Sequence, residues 1–179
     1  MENSKRRKGW PQRKKLRLEG YDYRLPGAYV ITICTEDRQW LFQNPILQAI
    51  LYEEWTKLSQ RYEGVAPGTI MVMYDHLHCI LVIEGEGPGI ASVSQIIGAY
   101  KSCAANAWLR YIKENNVDLP GKIWQAQFHD HIVRGKRDFD AQNKYILNNP
   151  AAFEEKQRAK QEEREKKKME GKDVKDFSD

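Results

Sequence analysis

Four stretches rich in β-branched and aromatic residues, separated by segments whose apolar residues recur every three or four positions, constrain this chain more than any other feature. The first, Ala28-Tyr29-Val30-Ile31-Thr32-Ile33-Cys34-Thr35, follows Gly27 and reads as a strand. Asn44 followed by Pro45 opens a helix in which Ile46, Ile50, Leu51, Trp55 and Leu58 share a face, until Gly64 and Pro67 stop it. Thr69 to Tyr74 and His78 to Ile83 predict two more strands, paired antiparallel across a short Asp75-His76-Leu77 connection, and the glycine-rich segment from Glu84 to Gly89 ends the second. Ser92 or Ser94 caps a second helix running to about Ile112, with Ile96, Ile97, Tyr100, Cys103, Ala104, Ala107 and Trp108 as its apolar stripe, so Tyr100 reads as core. Pro120-Gly121 turns the chain into a last extended segment from Trp124 to Val133. A third helix spans Asp138 to Asn148 and is closed by Pro150. Strand, helix, strand, strand, helix, strand, helix is the order of an α+β, ferredoxin-like sandwich: an antiparallel sheet with helices mainly on one face, plus a C-terminal helix.

The length of 179 residues suits one compact domain with tails, and the charges gather at the ends, so the fold belongs to the middle. No apolar run is long enough to span a bilayer, and the lysine-rich start lacks the apolar stretch of a signal peptide; a cytoplasmic location is the expectation. Cys34, Cys79 and Cys103 lack the paired spacing that clips zinc and read as buried, reduced thiols. The net charge of +4 conceals its distribution. Residues 1–25 carry nine Lys or Arg against three acids, a segment of +6, which predicts a phosphate-binding arm with Arg13, Lys14, Lys15 and Arg17 as contacts. A solvated leader explains the same charges. From residue 151 to 179 the charges balance and intersperse, as in Glu162-Glu163-Arg164-Glu165-Lys166, which reads as an exposed helix or disordered tail. The expected division is therefore an arm over 1–25, a domain over 26–150 and a tail over 151–179.

Chemistry concentrates in two places. His76 and His78 lie two residues apart where a strand begins, so extended backbone sends both imidazoles to one face, within reach of one metal ion; a polar strand edge is the plainer reading. In the third helix, Tyr145 and Asn149 are one turn apart and share a face, a nucleophile beside an oxygen ligand, although Tyr145 also suits a half-buried helix position. A phenol with an ordinary pKa near ~10 is a poor nucleophile at neutral pH and needs a cation to polarise the phosphate it attacks.

These residues carry a family resemblance. The Gly-Ala-Tyr-Val-Ile-Thr-Ile-Cys-Thr strand with Arg38 after it, His76-Leu77-His78, the Ser94 to Lys101 helix, Trp124-Gln125, Asp130-His131 and Tyr145-Ile146-Leu147-Asn148-Asn149-Pro150 occur together and in order. From Tyr29 to Pro150 the chain resembles the single-tyrosine HUH transposases, most closely the REP-associated tyrosine transposases. The resemblance implies that His76 and His78 are metal ligands, that Asn149 supplies the third ligand where insertion-sequence relatives carry glutamine, and that Tyr145 is the nucleophile. It further implies Mg²⁺ or Mn²⁺ as the ion and single-stranded DNA hairpins as substrate, cut and rejoined through a covalent phosphotyrosine. Asp75 departs from the Pro-Asn or Pro-Glu approach of many members and is expected to alter the turn more than the ligands; the charged tail matches no motif. The REP-associated branch favours a monomer over a homodimer.

Two rival readings remain open at the level of sequence. A ferredoxin-like sheet with exposed aromatics also serves non-catalytic modules that stack single-stranded bases. Alternatively, His129 and His131 join the first pair in a four-histidine zinc site with a hydrolytic or structural role. Lys101 and Arg134 are expected to contact phosphate rather than to catalyse.

Overall fold

The computed structural model describes residues 17–150 with the exception of 86 and 88; Arg13, Lys14, Lys15 and the tail over 151–179 lie outside the described residues. The predicted order of elements holds. Strand β1 (Gly27–Thr35) leads to helix α1 (Pro45–Thr56), a further helical turn α2 (Leu58–Arg61), strands β2 (Val65–Val72) and β3 (His76–Ile83), helix α3 (Val93–Asn115) and strand β4 (Trp124–Ile132). A last helix, α4, covers residues 136–150. The sheet order is β2-β3-β1-β4 with every neighbouring pair antiparallel, the ferredoxin-like arrangement.

Local chemistry sets the helix starts. The Asn44 carboxamide oxygen accepts from the amides of Ile46 and Leu47 at 2.9 and 3.2 Å, with Pro45 in the first turn where its missing N–H costs nothing. Of the two candidate serines, Ser92 caps α3: its hydroxyl accepts from the Gln95 amide at 3.3 Å while the Gln95 side chain accepts from the Ser92 amide at 2.8 Å. The helix runs to Asn115, three residues past the expected end, and stops at Asn116 in the left-handed conformation.

Other boundaries also differ from the sequence reading. Strand β2 begins at Val65 rather than Thr69, and Pro67 lies within it. A proline is tolerated there because β2 is the sheet edge and its register against β3 shifts between Pro67 and Ile70. The β2–β3 connection is Met73-Tyr74-Asp75, two residues earlier than expected. The Met73 amide donates to the His76 carbonyl at 2.8 Å and the Thr35 amide to the Asp75 carbonyl at 2.9 Å, so His76 and Leu77 already belong to the strand. Helix α4 starts two residues before Asp138 and is still helical at Pro150, whose fixed φ suits a helix even though its nitrogen cannot donate.

The main core lies between one sheet face and helices α1 and α3, where Tyr29, Ile31, Ile33, Leu77 and Cys79 meet Leu47, Leu51, Trp55, Ile96 and Tyr100. Tyr100 is core, as expected, and its hydroxyl donates to the Leu51 carbonyl at 3.1 Å. Helix α4 covers part of the opposite face, packing Ile146 on Val30 and Ile80. Cys34 and Cys79 are buried, Cys103 is only half-buried, and all three are free. Among the described residues no helix is long and apolar enough to cross a membrane.

The reciprocal cap on α3 gives a direct test of this account. Ser92→Ala removes the acceptor for the Gln95 amide and is expected to cost about 1 kcal/mol, read as a lower urea midpoint with an unchanged slope.

Candidate functional site

Strand alternation sorts β1 and β3 into two sets. Tyr29, Ile31, Ile33, Leu77 and Cys79 face α1 and α3, which leaves Val30, Thr32, His76, His78 and Ile80 on the face that carries α4. His76 and His78 therefore point the same way, their rings 4.8 Å apart and nearly perpendicular at 85°. From far along the chain, α4 brings the Tyr145 ring to 5.8 Å from that of His78. Tyr145 is 59% exposed, beyond what a half-buried helix position requires, while its neighbour Ile146 is fully buried and fixes the helix to the sheet. The Thr69 hydroxyl adds a second anchor by donating to the Asn143 side-chain oxygen at 2.6 Å.

The histidines are oriented by partners behind them. The Asp75 carboxylate, which can only accept, lies 2.6 Å from His76 Nδ1, so that nitrogen donates and the ring is held with Nε2 on the far side. The other Asp75 oxygen faces the Arg38 guanidinium at 3.4 Å. Thr32, directly across the ladder from His78, places its hydroxyl 2.8 Å from His78 Nδ1; with the proton on Nδ1, Nε2 is again free. Burial, reinforced by the nearby His76 and Arg38, pushes His78 down to about 4, so its ring is neutral at neutral pH and able to ligate. Asp75 thus orients a histidine, beyond the altered turn that the sequence suggested. Thr32 gave no signal of its own, because only the strand register sets it opposite His78.

Arg38 reaches Asp75 from a strained turn. Asp37 and Arg38 both have positive φ, 50° and 57°, a conformation costing on the order of 1–3 kcal/mol for each non-glycine residue. The surrounding bonds impose it: the Glu36 amide donates to Ile123 at 2.8 Å, and the Thr35 hydroxyl is shared between the Gln39 and Asp75 carbonyls at 2.8 and 3.0 Å.

Asn149 follows Tyr145 by one turn of α4, and its side-chain nitrogen is buried with no hydrogen-bond partner among the described residues. An orphaned amide of this kind costs about 1–3 kcal/mol. Turning the carboxamide over puts its oxygen in the same place, where a cation would satisfy it. Imidazole nitrogens and an amide oxygen are donor types that Mn²⁺ accepts readily and Mg²⁺ tolerates, so the chemistry of His76, His78 and Asn149 fits such an ion.

The other expected contacts divide. Arg17, placed on the arm by sequence, is engaged within the fold: its guanidinium pairs with Asp130, donates to the Phe128 carbonyl at 3.3 Å and lies 3.8 Å over the Phe128 ring. Lys101 donates to the carbonyls of Gln125 and Ala126 at 2.7 and 3.0 Å, in the stretch of β4 whose register against β1 shifts. Burial holds its pKa below the ordinary value. Arg134 is exposed beside a cavity of about 300 Å³, and its guanidinium remains available. His131 donates from Nε2 to Asp138 at 2.9 Å, and His129 is exposed across from Thr32. The four histidines do not assemble: among the described residues no group of three or more His, Cys, Asp or Glu side chains could hold a metal ion.

The depressed His78 carries a pH signature. A folded value near 4 against an ordinary 6.5 means that the unfolded chain binds the proton more tightly, so stability is complete above about 6.5 and falls as the pH drops toward 4. With divalent ions chelated, denaturation at stepped pH should show a loss on the order of 3 kcal/mol from this residue across that window. His78→Gln should remove that part of the slope, and an unchanged slope would refute the assignment.

Comparison with known proteins follows the same outline. No family model matches the chain. It is 26% identical over 174 residues to an uncharacterized protein of Haemophilus influenzae, covering 83% of this chain and 94% of that one. Among solved structures it is similar to a REP-associated tyrosine transposase bound to a REP hairpin, with 19% identity over 76% of this chain and 73% of that chain and a TM-score of 0.57. The two proteins share a fold.

Proposed function

We propose that this chain is a transposase-like enzyme that cuts and rejoins single-stranded DNA at hairpins, with Tyr145 as nucleophile and a divalent ion as cofactor. The observation that carries the reading is the meeting of two strand histidines with an exposed tyrosine from a helix almost seventy residues later, the His78 and Tyr145 rings being 5.8 Å apart. Packing alone does not require an exposed phenol beside a buried neutral imidazole. The shared fold with a hairpin-bound transposase supports the same reading.

His76, His78 and Asn149 would hold Mg²⁺ or Mn²⁺, which when bound polarises the scissile phosphate and stabilises its developing charge. Asp75 and Thr32 hold the two imidazoles by Nδ1, so that both present Nε2 away from their anchors. The Tyr145 oxygen forms a bond to phosphorus as the bond from phosphorus to a deoxyribose oxygen breaks; the phenolic proton is lost, and the departing oxygen takes one up as a hydroxyl. The reverse attack by a DNA hydroxyl restores the tyrosine and rejoins the strand, so no nucleotide cofactor is required. Arg134 remains available for backbone phosphate, with Arg13, Lys14 and Lys15 on the arm, whereas Arg17 and Lys101 serve the fold first.

A labelled single-stranded hairpin library incubated with Mg²⁺ or Mn²⁺ and run on denaturing gels tests the proposal. A covalent adduct is expected with the wild type and none with Tyr145→Phe, the His76→Ala, His78→Ala double variant, or chelator. Asp75→Asn should weaken metal dependence by about 10- to 100-fold, because a neutral amide orients His76 less firmly. An adduct that survives Tyr145→Phe would overturn the mechanism. Tight binding with no adduct on any hairpin would favour a non-catalytic module, a reading that the cover of α4 over the sheet face already disfavours.

A further inference from the structure

Trp55, Trp108 and Trp124 are buried, whereas Trp40 is 52% exposed in the strained turn that follows β1. We propose that Trp40 is a stacking platform for one unpaired base of the DNA strand whose phosphate lies at His76, His78 and Tyr145; the proposal rests on the DNA-processing reading above. Three observations converge on it. The Trp40 ring lies 5.5 Å from that of Tyr74, tilted by 44°, and about half of the residue stays exposed. Its backbone is fixed on the following side, where the Leu41 amide donates to Gln39 at 2.8 Å, the Phe42 amide donates to Tyr74 at 3.0 Å, and the Phe42 side chain is fully buried. The support also belongs to the site itself: Tyr74 immediately precedes Asp75, which holds His76, and Arg38 reaches the same Asp75 from the strained turn.

A stiff, half-exposed indole joined to the turn that orients a metal-ligating histidine suits recognition of an unpaired base. Every base has a π-face, and stacking tolerates sequence while fixing where the strand lies. The Arg38 side chain, itself 54% exposed, lies where its guanidinium can neutralise a neighbouring phosphate.

The test is abasic scanning by equilibrium binding in chelator, which removes cleavage from the measurement. Hairpins with short single-stranded flanks on either side, each carrying one abasic site, are titrated with wild-type, Trp40→Ala and Trp40→Phe protein. On the intact flank Trp40→Ala should bind about 5- to 150-fold more weakly, and Trp40→Phe should retain most of the affinity. At one flank position, removing the base should weaken the wild type by a similar factor and leave Trp40→Ala unaffected, a non-additivity that a merely structural role would not produce. Wild-type affinity in Trp40→Ala, an equal loss at every abasic position, or no binding to any oligonucleotide overturns the platform. The abasic signature without covalent adducts in the gel assay would instead keep the platform and remove the catalytic reading.

Discussion

The register of β1 against β3 is the constraint on which the site depends. Thr32 faces His78 and Cys34 faces His76, while the residues between them, Ile33 and Leu77, enter the main core. Because side chains alternate, a slip of one residue would turn both histidines toward α1 and α3 and bring Leu77 and Cys79 out under α4. The apolar core thus enforces the site: burying Tyr29, Ile31, Ile33, Leu77 and Cys79 leaves one arrangement of the two imidazoles.

Around that register, polar groups are spent on orientation. Asp75 and Thr32 hold the histidines by Nδ1, Arg38 holds Asp75, and the Thr35 hydroxyl stitches the end of β1 to the turn before His76. The strain at Asp37 and Arg38 is borne by this network, consistent with the tendency of strained backbone to collect where geometry must be held. His78 stays neutral for a related reason, since a buried ring beside a second imidazole and a guanidinium has no favourable place for a proton.

The cations show how tertiary structure reallocates charge. Lys and Arg in a sequence are interchangeable as sources of positive potential, yet Arg17 neutralises a nearly buried Asp130 and Lys101 donates to two carbonyls of β4 where its register shifts. Both jobs follow from needs that arise only when distant segments pack. Arg134 meets no such need and keeps its guanidinium available at the surface.

Much of the fold was legible because its signals are local. Runs of β-branched and aromatic residues marked the strands, Asn44-Pro45 and the Ser92 or Ser94 pair marked helix starts through bonds within a few residues, and the order of elements predicted the sandwich. Boundaries at Pro67, at the β2–β3 turn and at Pro150 were misjudged, since an edge strand accepts a proline, a turn yields to hydrogen bonds from another strand, and a proline's φ is itself helical. The same locality placed His76 with His78 on one face and Tyr145 with Asn149 on another, which determined the chemical inventory. Only the tertiary structure brought the two faces together, gave Thr32 and Asp75 their orienting roles, and set Trp40 above Tyr74. Those contacts join residues tens of positions apart, and their geometry depends on how sheet and helices pack, which the spacing of residues along one chain does not encode.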